Sequence, residues 1–250
     1  MKTKRSTKII SALAVLVSLG VFVYLSASMA KISIDPVNLW DYRLRFFQGF
    51  VLTIEISVAS LFVSLLIGSI IAWAKNSTIL YFKYLANVYV EVIRGTPLLV
   101  QIIFFYYIIG TAWGIHNRFF AGIMILSLFE GAYISEIIRG GLISIESKQT
   151  EIAQSIGFDR HQTFRYVILP QLIVRVLPAL AGQFASVIKD SSLLSSIAVI
   201  ELMQVTKEIT ANNFAIYFQS YLLLAALYLA LTYPISYLAK FLERKFAYEN

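Results

Sequence analysis

The sequence contains no cysteine, which removes disulfides, thiolate metal sites and a cysteine nucleophile together. Histidine is nearly as rare. His116 and His161 are the only two, and the topology derived below puts them on opposite sides of a membrane, so they cannot share a zinc ion. His161 reads as a polar surface residue rather than a pH sensor. No G-x-x-x-x-G-K-[ST] occurs, so the chain has no P-loop for ATP. Neither G-x-S-x-G nor H-E-x-x-H is present. Charged residues make up only 14%. These gaps predict a non-catalytic chain that binds no metal and no cofactor of its own.

What fills the space is apolar. At 58% hydrophobic residues and a mean hydropathy of +0.74, the 250-residue chain has the bilayer for its solvent. One integral, all-α membrane domain is the expectation. A net charge of +7 invites a nucleic-acid reading. The basic residues are scattered between apolar runs rather than gathered on one face, which excludes nucleic acid and fits cytoplasmic loops instead.

In chain order, Lys2, Lys4, Arg5 and Lys8 precede the run Ile9–Leu25, and Ser28-x-Ala30 follows. This pattern fits a signal peptide or, the favoured reading, an uncleaved signal anchor. Residues 1–48 thus form an N-terminal span and an outer segment with Trp40 at the interface. Five core spans are expected in 49–250, at about Gly49–Ala74, Asn87–Trp113, Phe119–Ile138, the long region Tyr166–Leu202, and Phe214–Ala239. Gly68 with Ser57, Ser60 and Ser64 offers small residues for close helix contact in the first of these. Lys75 to Ala86 reads as a short inner connection. Fourteen Lys and Arg lie in segments assigned to the inside (N-terminus, 75–94, 139–165, C-terminus), against five outside (Lys31, Arg43, Arg45, Arg118, Lys207). The bias places residues 140–165 in the cytoplasm.

That cytoplasmic stretch is polar yet patterned. Ile145, Ile152 and Ile156, with Ala153, suit one face of a short helix. Gly157 is placed to end it. Asp159 and Gln162 have capping-box spacing for a second short helix, and Pro170 marks a turn toward the next span. The expectation is a rigid knob of two short helices.

The stretch Glu151-Ile-Ala153, then Gly157 and Ile168-Leu-Pro170, resembles the "EAA loop" of ATP-binding cassette (ABC) import permeases. Ile152 stands where that family usually has alanine. Tyr89-Val-Glu-Val-Ile-Arg-Gly-Thr-Pro-Leu-Leu-Val-Gln101 resembles the signature of the polar amino acid subfamily, which includes histidine, glutamate, glutamine, arginine and opine permeases. Glu130-Gly-Ala-Tyr133, Glu136-Ile-Ile-Arg-Gly-Gly141, Leu169-Pro-Gln171 and Lys189-Asp-Ser-Ser-Leu193 look like its other marks. The resemblance implies a type I importer-like transmembrane bundle in a bacterial cytoplasmic membrane. It also implies coupling helices at about 145–165, with Glu151, Ala153, Gly157, Phe158, Arg165 and Pro170 docking on a cytoplasmic ATPase dimer that carries the ATP and Mg. Further implied partners are a second permease subunit, identical or paralogous, and an extracytoplasmic solute-binding protein.

Three intramembrane regions invite functional readings. Arg94-Gly95-Thr96-Pro97 interrupts the third apolar region, either as a kinked helix with Glu91 and Arg94 paired or as part of a moving gate. Glu130 falls near mid-bilayer, where a carboxylate is costly and faces a cavity or partner. Asp190, Ser191 and Ser192 read as N-caps of a half-helix beginning at Leu193. Lys189 is then a candidate for a substrate carboxylate, and Glu130 or Asp190 for an ammonium group. Alternatively, Lys189 and Asp190 pair with each other or with Glu201 and only hold the break. An intramembrane enzyme, a channel, an ion-coupled carrier and permeases for an opine or a sulfur amino acid are the competing functions.

Overall fold

A computed structural model describes residues 5–29, 39–145 and 147–247; the described chain is helical and contains no strand. The helices are α1 (Arg5–Met29), α2 (Arg43–Lys75), α3 (Leu80–Gly95), α4 (Leu98–Phe104), α5 (Arg118–Ile143), α6 (Ser147–Ser155), α7 (Arg160–Gln162), α8 (Leu169–Asp190), α9 (Leu202–Asn212) and α10 (Tyr217–Ala247). Among the described residues four segments are each long and apolar enough to cross a bilayer: Arg43–Lys75, Arg118–Ile143, Arg160–Ile197 and Phe214–Phe246. The pair Leu80–Gly95 and Leu98–Gly110 qualifies jointly, as a fifth, broken span. The N-terminal helix α1 is apolar from Leu13 to Met29. The cleavage position Ala30 and the outer segment up to Asn38 lie outside the described residues.

The bundle is organised on α2 and α5. The buried stripe of α2, which includes Gly49, Thr53, Ser57, Ser60, Ser64 and Gly68, recurs every three or four residues. Water exclusion does not drive helices together inside lipid, so small side chains that admit close backbone contact carry the association. A Cβ on Gly68 would sit 2.6 Å from Ile134 Cγ2, and one on Gly131 would sit 2.7 Å from Ile67 Cγ2. Each glycine therefore seats an isoleucine of the opposite helix. Ser127 Oγ adds a hydrogen bond across the pair, to the Ser60 carbonyl at 3.2 Å. A core of Ile56, Ile102, Leu126, Val187 and Leu194 ties these two helices to α4 and α8.

Three expectations need correction. The third apolar region is no kinked single helix: α3 and α4 meet at 110°, and α3 begins already at Leu80, so the inner connection is only 76–79. Pro170 does not mark a turn. It lies near the start of α8, within a continuous helical run from Arg160, preceded by a π-helical turn over Thr163–Ile168. The wide turn accommodates a residue that has no N–H to donate. The fifth region does not break at Asp190 either. Ser191–Ile197 continues α8 as a 3-10 helix, and the break comes at Ala198, whose φ of 55° is left-handed. The half-helix is α9, capped by Glu201.

Candidate functional site

The knob of two short helices is built from local hydrogen bonds. Gly157 has φ +94°, its N–H donates to the Gln154 carbonyl at 3.0 Å, and the Phe158 N–H donates to the Ala153 carbonyl at 3.0 Å. This is a Schellman end, and it satisfies carbonyls that the close of α6 would otherwise orphan. The next residues form a reciprocal capping box: Asp159 Oδ1 accepts from the Gln162 N–H at 2.8 Å, and the Asp159 N–H donates to Gln162 Oε1 at 2.9 Å. Phe158 packs on the Tyr166 ring at 6.2 Å.

The knob is also fastened to the bundle. Gln171 of α8 donates from Nε2 to Gln149 Oε1 on α6, and Arg175 of α8 donates to the Ser144 carbonyl at the end of α5. Ala153, Ile145, Leu172 and Val176 are buried at this junction. The apolar face inferred from the sequence divides at this point. Ile145 and Ala153 face the bundle, whereas Ile152 and Ile156 are 63% and 70% exposed. Glu151, Arg165 and Pro170 are exposed as well. The period of the helix identifies apolar positions but not which of them the same chain covers.

The break between α3 and α4 has its own repair. Pro97 brings no N–H, so the Ile93 carbonyl four residues earlier loses its helical donor. Gln101, one turn beyond, supplies a substitute: its Nε2 donates to the Ile93 carbonyl at 2.7 Å, the Thr96 carbonyl at 3.1 Å and Thr96 Oγ1 at 2.7 Å. Sequence reasoning named Arg94, Gly95 and Pro97 here and missed Gln101. The spacing from Pro97 to Gln101 was its only available signal.

Arg94 does not pair with Glu91. It reaches Glu136 at 3.8 Å and lies 5.2 Å from the centre of the Tyr133 ring. Glu136 also accepts from Lys75 and from Arg139, the latter at 2.8 and 3.0 Å. One carboxylate of α5 thus gathers cations from α2, α3 and α5. Glu136 entered the sequence reading only as part of a motif; its spacing to Arg139 is a local signal of pairing, whereas the cations of α2 and α3 leave none.

In the interior, Glu130 of α5 is fully buried. One of its oxygens, Oε2, accepts from Gln183 Nε2 of α8; the other, Oε1, is buried with no hydrogen-bond partner among the described residues. Gln183 and Asp190 are seven residues apart on α8, hence on one face, and the Asp190 carboxyl lies close enough to act electrostatically on Glu130. The fold therefore brings Glu130, Gln183 and Asp190 together. Lys189 is exposed and forms no salt bridge among the described residues, although its charge reaches Asp190.

Ser191 and Ser192 do not cap a helix. Their hydroxyls donate back to the Ile188 carbonyl at 2.8 Å and the Lys189 carbonyl at 2.6 Å. Glu201 is engaged elsewhere as well, accepting from the Met203 and Gln204 N–H groups at 2.8 Å and from Tyr228 Oη at 2.6 Å. It holds the start of α9 and is no partner for Lys189.

Comparisons with known proteins agree with this architecture. The family described as binding-protein-dependent transport system inner membrane component matches residues 64–248. The glutamine transport system permease protein GlnP of Escherichia coli (strain K12) is 35% identical over 213 residues, covering 84% of this chain and 97% of that protein. The probable glutamine ABC transporter permease protein GlnM of Bacillus subtilis (strain 168) is 33% identical over 207 residues, covering 83% and 95%. The crystal structure of an amino acid ABC transporter with histidines superposes with a TM-score of 0.78 at 34% identity, covering 86% of this chain and all of that one. An inward-facing structure of the MetNI methionine ABC transporter shares the fold at a TM-score of 0.63 and 15% identity, covering 85% and 99%. The chain belongs to the family of inner membrane components of binding-protein-dependent transport systems, as a multi-pass ABC permease of the inner membrane.

Proposed function

We infer that this chain is the membrane-spanning permease subunit of an ATP-driven amino acid importer, with glutamine the first solute to test because it is named for the relatives GlnP and GlnM. The observation that carries the coupling part is the knob at 145–165. Its described part, 147–165, is closed by a Schellman end and a capping box and presents exposed Ile152 and Ile156 beside Glu151. An apolar patch rimmed by polar residues at the end of a bundle is the surface a protein partner covers. The partner proposed is a cytoplasmic ATPase dimer, which carries the ATP and Mg that this chain has no P-loop to bind.

Closure of the ATPase pair on ATP would move the knob as a body. The Gln149–Gln171 and Arg175–Ser144 bonds pass that movement to α8 and α5. These are the helices that bear Asp190, Gln183 and Glu130, so the docking surface and the interior acids share one mechanical unit. A transported amino acid has to exchange hydration for fixed partners. Glu130 and Asp190 would receive its ammonium group and Lys189 its carboxylate, while Ser191 and Ser192 shape the helix there without donating to the solute. One chain contributes one knob and half a pore wall. A second permease, identical or paralogous, completes the path, and an extracytoplasmic solute-binding protein delivers the solute.

The test is uptake into vesicles holding the assembled transporter, with ATP enclosed and solute-loaded binding protein outside. Uptake of glutamine that requires ATP and the binding protein supports the reading. Uptake that persists without either and follows an ion gradient refutes it, and ATP-dependent uptake of an opine or a sulfur amino acid alone reassigns the substrate.

A further inference from the structure

Between the outer ends of α2 and α10 lies a cleft of about 460 Å³. Phe46 and Phe50 of α2, Leu223 and Leu227 of α10, and Trp40 line it, and the one charged side chain in its wall is Arg43. We infer that this cleft holds one acyl chain of an anionic phospholipid of the outer leaflet, with the phosphate of its headgroup on Arg43.

Depth and charge both point that way. By helical rise, Leu223 and Leu227 lie roughly 9 and 15 Å beyond Tyr217, and Phe46 and Phe50 roughly 5 and 11 Å beyond Arg43. The walls therefore span about half of a hydrocarbon core some 30 Å thick, which is one leaflet. Trp40, 67% exposed, stands at the mouth where an interfacial aromatic belongs.

Arg43 is held but not neutralised. Its guanidinium sits 5.4 Å from the centre of the Trp40 ring and donates to the Trp40 carbonyl at 3.2 Å. Its neighbour Arg45 is paired with Glu208, whereas among the described residues Arg43 has no carboxylate in salt-bridge contact, Asp41 included. An oriented, unpaired cation above an apolar slot matches an amphiphile with an anionic head and an apolar tail. A zwitterionic amino acid would have to desolvate against the aromatic and aliphatic walls with nothing to receive its ammonium group. The N-terminal helix α1 contains no Asp or Glu and supplies no counter-charge for Arg43. The site is separate from the transport path and stands whether or not the substrate assignment does.

Native mass spectrometry of the full-length chain, purified in mild detergent with the subunits that accompany it, tests the inference. Phosphatidylglycerol and phosphatidylcholine of identical acyl chains are the probes. Wild type is expected to retain phosphatidylglycerol preferentially. Arg43→Gln should cut that preference about fivefold, the loss of one interfacial cation, without lowering total lipid retention. Leu227→Trp should fill the cleft and abolish retention of the tightly held lipid at a melting temperature close to wild type. Equal retention of both lipids by wild type overturns the proposal. So does undiminished phosphatidylglycerol on Leu227→Trp, or a cross-link placing α1 or a second copy of the chain in the cleft.

Discussion

Replacing Gly157 with alanine isolates the contribution of backbone geometry to coupling. A Cβ at this position meets nothing within 4 Å, so the substitution adds no clash, but the residue has φ +94°. Holding an L-residue in left-handed backbone costs about 1–2 kcal/mol. The chain can avoid that cost only by opening the Schellman end, which frees the Gln154 and Ala153 carbonyls and lets α6 swing relative to the capping box at Asp159. A penalty of this size lowers the population with the knob correctly set by roughly 5–30-fold. The assay is ATP hydrolysis by the reconstituted transporter, stimulated by solute-loaded binding protein, together with the amount of ATPase retained on a tagged permease. Gly157→Ala should lose most of the stimulation, and Gly157→Asn should recover much of it because asparagine tolerates left-handed backbone. The reasoning fails if alanine couples as well as glycine, or if asparagine is no better than alanine.

Three other substitutions probe separate parts of the molecule. Gln101→Leu strips the donor from the carbonyl of buried Ile93, and from that of exposed Thr96, and should cost about 1–3 kcal/mol, read as a lower melting temperature; an unchanged melting temperature would show that the bend does not need this repair. Gly68→Val drives a branched side chain toward Ile134, where even a Cβ would lie at 2.6 Å. It should destabilise by about 1–3 kcal/mol or more, measured in the same way, and a neutral result would mean α2 and α5 can move apart freely. Lys189→Ala should reduce solute uptake while leaving ATPase retention intact, and a wild-type uptake rate removes Lys189 from the path.

Much of the scaffold was legible because lipid imposes simple demands. Long apolar runs and glycine and serine stripes follow directly from the solvent, and the span regions inferred from them overlap the helices found. Gly157, Asp159 and Gln162 were readable for a different reason: caps are local, and each is set by residues within one turn. Failures came where a local motif had a second use. Asp190-Ser-Ser has the composition of a cap, but Ser191 and Ser192 turn their hydroxyls back to carbonyls three residues earlier, which a continuing helix allows equally well. The actual break rests on Ala198 in a left-handed conformation, and alanine advertises no such preference. Pro97 announced a disturbance without its size, since a bend of 110° needs Gln101 to satisfy the exposed backbone. The clustering of Glu130, Gln183 and Asp190 was only half visible, because the acids were noted while Gln183 depends on how α5 and α8 happen to meet.

The wide turn at Thr163–Ile168 has one more implication. Such a turn holds one residue more than an ordinary helical turn, and one residue is about 100° of rotation around the axis. Everything before it, from Gln162 back to the exposed Ile152 and Ile156, is thereby aimed about 100° away from where an unbroken spiral would put it. Losing a single codon in this turn would swing the protrusion around the long helix and break the Gln149–Gln171 bond that fastens it to α8, a small genetic step by which a lineage could change which surface it presents.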